Sequence, residues 1–166
     1  MSTLTPQLKP YQWRVQDAYG EFFSKYPWEW FITLTFAGRT HPEAVEASFR
    51  TWIAKMNRML NGSRWHKKET GNIYWVMAIE RHKSGNPHVH ALLIGTKDLR
   101  RLFWMDSWLA MGGKNGFARI EAIKKNESAS FYVTKYVTKD AELFFSENLE
   151  HYVPELDFDW TGEPFK

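Results

Sequence analysis

Residues 73–95 read IYWVMAIERHKSGNPHVHALLIG, and the fold turns on how this stretch is divided. Two apolar runs rich in β-branched and aromatic residues, Ile73 to Glu80 and Pro87 to Gly95, flank Ser84-Gly85-Asn86, which is strong turn chemistry. The division predicts two strands joined as a hairpin. In the second strand His88 and His90 stand at i and i+2 and therefore project from one face, while Val89, Ala91 and Leu93 project from the other. Glu80 closes the first strand on a face shared with Tyr74, Val76 and Ala78. If even-numbered positions of the two strands pair, Glu80 lies on the same face as both histidines. Two imidazoles and a carboxylate would leave positions open for water or a phosphate oxygen. Such a set suits Mn²⁺ or Mg²⁺ acting on phosphate, and equally a catalytic Zn²⁺. His82 is a reserve ligand. Taken without Glu80, the His-x-His pair also fits two surface histidines on an exposed sheet.

Working outward from the hairpin, Trp30 to Phe36 alternates Ile32, Leu34 and Phe36 against Phe31, Thr33 and Thr35, the period of a strand that Gly38 ends. Residues 42–61 form an amphipathic helix with Pro42 in its first turn and a stripe of Val45, Phe49, Trp52, Ile53, Met56, Met59 and Leu60; Asn61-Gly62 closes it. A basic, aromatic loop follows at 63–68. Beyond the hairpin we expect a helix at about 97–111 carrying Leu99, Leu102, Phe103 and Trp108 and stopped by Gly112-Gly113. A strand from Phe117 to Ile123 and a helix from Glu127 to about Lys139 come next. Residues 10–26 have helical spacing, and the tail after 140 has no clear assignment. The order describes an α+β domain, with helices over one face of an antiparallel sheet. We divide the chain into an N-terminal extension (1–27), the domain (28–140) and a tail (141–166).

Residues 132–139 repeat one tetrad, Tyr-Val-Thr-Lys, twice. On a helix Tyr132 and Tyr136 lie one turn apart on one face, with Cβ atoms about 5–6 Å from each other. Lys135 and Lys139 form a neighbouring row, and Val133 and Val137 an apolar one. A tyrosine attacking a phosphodiester forms a covalent phosphotyrosine. A phenol with its ordinary pKa of about 10 is mostly neutral at pH 7, so an adjacent lysine or metal ion would favour the phenolate and balance charge in the transition state. Core packing alone would not require lysine to recur in register.

The chain holds 166 residues, 43% of them hydrophobic, enough for one core. Its net charge of +3 conceals an asymmetry: residues 1–139 carry 21 Lys and Arg against 11 Asp and Glu, and residues 140–166 one Lys against eight acids. The basic body suits a polyanion such as nucleic acid. Within it Arg64, Trp65, Lys67 and Lys68 combine charge with a stacking aromatic, and Lys83 sits in the hairpin turn; these are the candidate DNA contacts. The acidic tail reads as an appended, solvating stretch. The absence of cysteine excludes disulfides and thiolate metal sites. No apolar run approaches the roughly 18 residues of a membrane span, and Met1 to Pro10 lacks a secretory pattern. A cytoplasmic protein of a prokaryotic host is the expectation.

Together, Phe31-Ile-Thr-Leu-Thr-Phe36, Glu80-Arg-His-Lys-Ser-Gly-Asn-Pro-His-Val-His90 and Tyr132 to Lys139 resemble, in order, the three motifs of the HUH endonucleases. The likeness is to rolling-circle replication initiators of plasmids and single-stranded-DNA viruses, and the doubled tyrosine resembles the two-tyrosine type of isometric phages. The resemblance spans about residues 28–140. It implies a ferredoxin-like (RRM-like) sheet, a divalent metal (Mn²⁺ or Mg²⁺) held by Glu80, His88 and His90, and Tyr136 as nucleophile with Tyr132 as the second. It further implies single-stranded DNA or an origin hairpin as substrate, a 5′-phosphotyrosine product with a free 3′-OH, and a host polymerase. No Gly-x4-Gly-Lys-Ser/Thr pattern is visible, so unwinding is expected from a host helicase or from supercoiling. A transposase or relaxase of the same superfamily would share the chemistry. A zinc hydrolase would need no tyrosine–lysine helix, and a non-catalytic nucleic-acid-binding module would need neither metal nor tyrosine.

Overall fold

The structure, a computed structural model, describes residues 23–81, 85–96, 98–124 and 142–152. Within them the elements are β1 (Trp30–Phe36), α1 (Pro42–Asn61), β2 (Tyr74–Arg81), β3 (Pro87–Ile94), α2 (Arg101–Ala110), β4 (Asn115–Ala122) and β5 (Glu142–Phe145). Short 3-10 turns lie at Trp65–Lys67 and Leu149–His151. The strands form one antiparallel sheet in the order β4-β1-β3-β2-β5. A β-α-β-β-α-β sequence whose first four strands lie 4-1-3-2 is the ferredoxin-like arrangement, and β5 adds a strand to its β2 edge.

Strand alternation divides the side chains between two faces. One face carries Trp30, Ile32, Leu34, Trp75, Met77, Ile79, Val89, Ala91, Leu93 and Ile120, packed with Val45, Phe49, Trp52, Ile53 and Met56 of α1 and Trp104 and Trp108 of α2. Both helices thus cover the same face. Full burial of a side chain such as Phe49 stabilises by roughly 1.5–3 kcal/mol. Helix α1 starts with His41, whose Nδ1 accepts from the Glu43 N–H at 3.3 Å, and ends at Gly62, whose φ of 80° suits glycine. Asn57, buried on its inner face, accepts the Ile73 N–H at 2.8 Å and ties the helix to the start of β2.

The second face is apolar at one end only. There Phe31, Val76, Leu92 and Ile94 meet Phe23, Trp28 and Leu149, with Tyr26, Tyr74 and Tyr152 packed around them. The segment before β1 and the segment after β5 therefore both lie on the sheet. The other end of this face is polar.

Several expectations need correction. Met59 does not join the α1 stripe; it is exposed. The second helix is shorter than 97–111, because Arg100 is extended and the Leu99 N–H donates to Thr96 O in a turn ahead of the helix. Its buried residues are Trp104 and Trp108, one turn apart, whereas Leu102 and Phe103 face outward. The fourth strand starts at Asn115, before Phe117. The unassigned tail contains β5, whose residues from Glu142 to Phe145 pair with Ile79 to Val76. The expected helix at 127–139 and nearly all of that at 10–26 lie outside the described residues.

Candidate metal centre and its surroundings

The hairpin pairs even-numbered positions: Glu80 is the Cα partner of His88, and Ala78 that of His90. On the other side β1 places Thr35 opposite His88 and Thr33 opposite His90. Glu80, His88, His90, Thr33 and Thr35 thus share the polar end of the second face, directly behind the helix-covered core.

His90 is held on three sides. Its Nε2 lies 3.5 Å from Glu80 Oε2. Its Nδ1 lies 3.4 Å from Thr33 Oγ1. Its ring stacks on Phe31, with centroids 6.1 Å apart and planes 6° from parallel. The side chains of His90 and Glu80 are only 10% and 17% exposed, so their interaction is weakly screened. Thr35 is fixed by its own hydroxyl, which accepts the Phe117 N–H at 2.8 Å and donates to the Phe117 carbonyl at 3.0 Å.

A separation of 3.5 Å is long for a charge-assisted hydrogen bond, which closes to about 2.7–2.9 Å. It is near the spacing of two ligands on one ion: donors each about 2.1 Å from a tetrahedral metal stand roughly 3.4 Å apart. The donor chemistry, neutral imidazole nitrogen with carboxylate oxygen, fits a divalent transition ion or Mg²⁺. Among the described residues no three His, Cys, Asp or Glu side chains are gathered as a set able to hold an ion. His88 shares the face with Glu80 and His90 without closing on them.

The other expected site residues fall in different places. Trp65 and Lys67 belong to the 3-10 turn and Arg64 and Lys68 flank it. This turn precedes Tyr74, which pairs with Ile94 at the far end of the sheet. Six residues of strand, about 20 Å, separate Tyr74 from Glu80, so the basic loop is remote from the histidines. Its backbone is occupied by Asn72, whose side chain donates to Trp65 O at 2.9 Å. Lys83, His82, Tyr132, Tyr136, Lys135 and Lys139 lie outside the described residues. At the histidine end the sequence reading missed Arg39, Lys114, Phe117 and Arg119. Lys114 Nζ donates to Arg39 O at 2.8 Å, and Arg119 pairs with Glu121 at 2.8 Å. Only the strand order reveals that these residues adjoin the hairpin.

Residues 29–141 match the family described as Replication-associated protein ORF2. Among solved structures, the crystal structure of the hypothetical protein ORF119 from Sulfolobus islandicus rod-shaped virus 1 is similar at 22% identity with a TM-score of 0.47, over 76% of this chain and 96% of that one. Comparison with curated proteins gives no match. No helix among the described residues is long and apolar enough to cross a membrane.

Proposed function

This chain belongs to the family of the replication-associated protein ORF2, and from that membership we propose that it is a metal-dependent endonuclease and strand transferase that opens rolling-circle replication, of the two-tyrosine HUH type. The observation that carries the chemistry is the shared face of Glu80, His88 and His90, with Glu80 and His90 spaced as two ligands of one ion. In this reading Glu80, His90 and, after a side-chain rotation, His88 hold Mn²⁺ or Mg²⁺. The ion supplies Lewis-acid polarisation of the scissile phosphate. Thr33, at His90 Nδ1, sets the orientation and tautomer of the ring.

The nucleophile is the phenolic oxygen of Tyr136, with Tyr132 one helical turn away. It forms an O–P bond to the 5′-phosphate as the P–O3′ bond breaks. The phenol gives up its proton, assisted by Lys139 or Lys135, and the leaving 3′ oxygen takes one, giving a primer hydroxyl. One phosphodiester replaces another, so no ATP is required. A later attack by a 3′-OH on the phosphotyrosine reverses the step and joins strands. Connectivity supports this assignment: Glu142, six residues after Tyr136, pairs with Ile79, the neighbour of Glu80. Six residues span at most about 20 Å. The partners in this reading are single-stranded DNA or an origin hairpin and a host helicase and polymerase, in the cytoplasm of a prokaryotic cell.

The test is incubation with labelled single-stranded DNA pools and Mn²⁺, followed by a denaturing gel. A covalent adduct that requires metal and is lost in Tyr136→Phe is the expected result. Cleavage that survives Tyr132→Phe combined with Tyr136→Phe would overturn it in favour of a hydrolase.

A further inference from the structure

β4 is an edge strand of the sheet and lies beside β1, on the side away from β3. Its alternation is set by Ala118 and Ile120, which pair with Leu34 and Ile32 and pack toward the helices. Arg119, opposite Thr33, therefore lies on the histidine face, in line across the sheet with Thr33 and His90. Phe117 comes two residues earlier, and its backbone is clamped by the Thr35 hydroxyl, Thr35 being the partner of His88. Its side chain is 65% exposed. Two strand spacings, about 10 Å, separate β4 from β3.

A phenylalanine ring presented to solvent on a rigidly held strand offers apolar area at no cost in backbone ordering. Its surroundings are positively charged. Arg119 is 71% exposed at its side chain. Lys114 begins the turn into the strand, and Arg39 borders the hairpin at Gly85, where an added Cβ would lie 3.1 Å from Arg39 Nε. The acids facing this area are Glu80 and Glu121, and Glu121 is paired with Arg119.

We propose that Phe117 is a stacking platform for a nucleobase and that Arg119 holds an adjoining phosphate, so that single-stranded DNA enters over the β4 edge toward Glu80 and His88. A flat apolar ring beside cations matches a strand that has both π-faces and phosphates. The proposal deepens the nuclease reading and rests on it for the identity of the ligand. It also relocates the DNA contact from the remote loop at Arg64–Lys68 to the opposite end of the sheet.

The experiment measures fluorescence anisotropy of a fluorescein-labelled 15-nucleotide oligo-dT with the full chain in EDTA, so that binding is read without chemistry. Phe117→Ala weakens binding roughly five- to a hundred-fold, the range of one lost base stack. Phe117→Trp restores it, and Phe117→Leu does not. Arg119→Ala lowers the slope of log affinity against log salt by about 0.7, one phosphate contact on a single strand. Unchanged thermal midpoints confirm folding. Wild-type affinity in both Phe117→Ala and Arg119→Ala overturns the inference. Phe117-dependent binding without any Mn²⁺-dependent adduct sinks the endonuclease reading and leaves this one standing. An adduct from the wild type with unaltered binding by Phe117→Ala does the reverse.

Discussion

Replacing Thr33 by valine separates the two things this residue does. Thr33 lies between His90 on β3 and Arg119 on β4 and is half-buried. Valine keeps its shape and its β-branching, so strand preference is retained. What is lost is one oxygen, 3.4 Å from His90 Nδ1. A hydrogen bond of that length belongs at the weak end of the usual range, about 0.5 kcal/mol. In a domain of about a hundred residues that moves the thermal midpoint by only some 2–4 °C. Ion affinity responds more strongly, since removing the group that orients a ligating histidine costs about 10- to 100-fold. The long contact selects the lower limit, about tenfold or 1.4 kcal/mol. The assay is titration with Mn²⁺ by calorimetry on wild type, Thr33→Val and Thr33→Ser. Serine, which keeps the hydroxyl, is expected to bind close to wild type. Equal Mn²⁺ affinity in the valine and wild-type proteins would refute the orienting role. A stability loss above about 2 kcal/mol would show instead that Thr33 acts through packing, since it exceeds the worth of a single neutral hydrogen bond.

Two further substitutions test the frame that holds the site. Asn57→Ala leaves the buried Ile73 N–H without its acceptor, a loss of about 1–3 kcal/mol; urea unfolding should show a midpoint lower by about 1 M. An unchanged midpoint would mean that water replaces the amide. Gly116→Ala drives a Cβ against Thr35, whose carbonyl oxygen would lie at 3.0 Å and whose hydroxyl still closer. The expected cost is about 1–3 kcal/mol, with a matching shift in the Thr35 and Phe117 amide resonances; a variant as stable as wild type with unmoved resonances would contradict the clamp.

The legible parts of the fold are those in which one periodicity runs uninterrupted. Helix α1 spans 42–61 as its apolar spacing and the Pro42 and Gly62 signals require. The hairpin followed from its turn residues, and its pairing put Glu80 across from His88. Helix α2 was misphased because Leu102, Phe103, Trp104, Trp108 and Leu109 are apolar all round, and periodicity cannot choose among candidate faces; packing against Trp52 chose Trp104 and Trp108. β5 is four residues long and acquires its strand character from the β2 edge. The shift in pairing between Leu34 and Phe36 has no local signal either. The basic loop misled for a topological reason. Charge and aromatics at 64–68 marked a plausible nucleic-acid surface, but chain direction in α1 carries them to the wrong end of the sheet for the histidines.

β5 has a consequence in chain statistics. Ala122 is secured at one edge of the sheet by β1, and Glu142 at the other edge by β2. The residues between them, which carry both tyrosines, are a closed loop with two fixed anchors, whatever conformation they take. Closure of a loop costs entropy that grows only slowly with its length, and β5 meets that cost at folding, before substrate arrives. A tyrosine on such a tether samples the histidine face at an effective concentration on the order of millimolar, and a strand covalently attached to it inherits the same confinement.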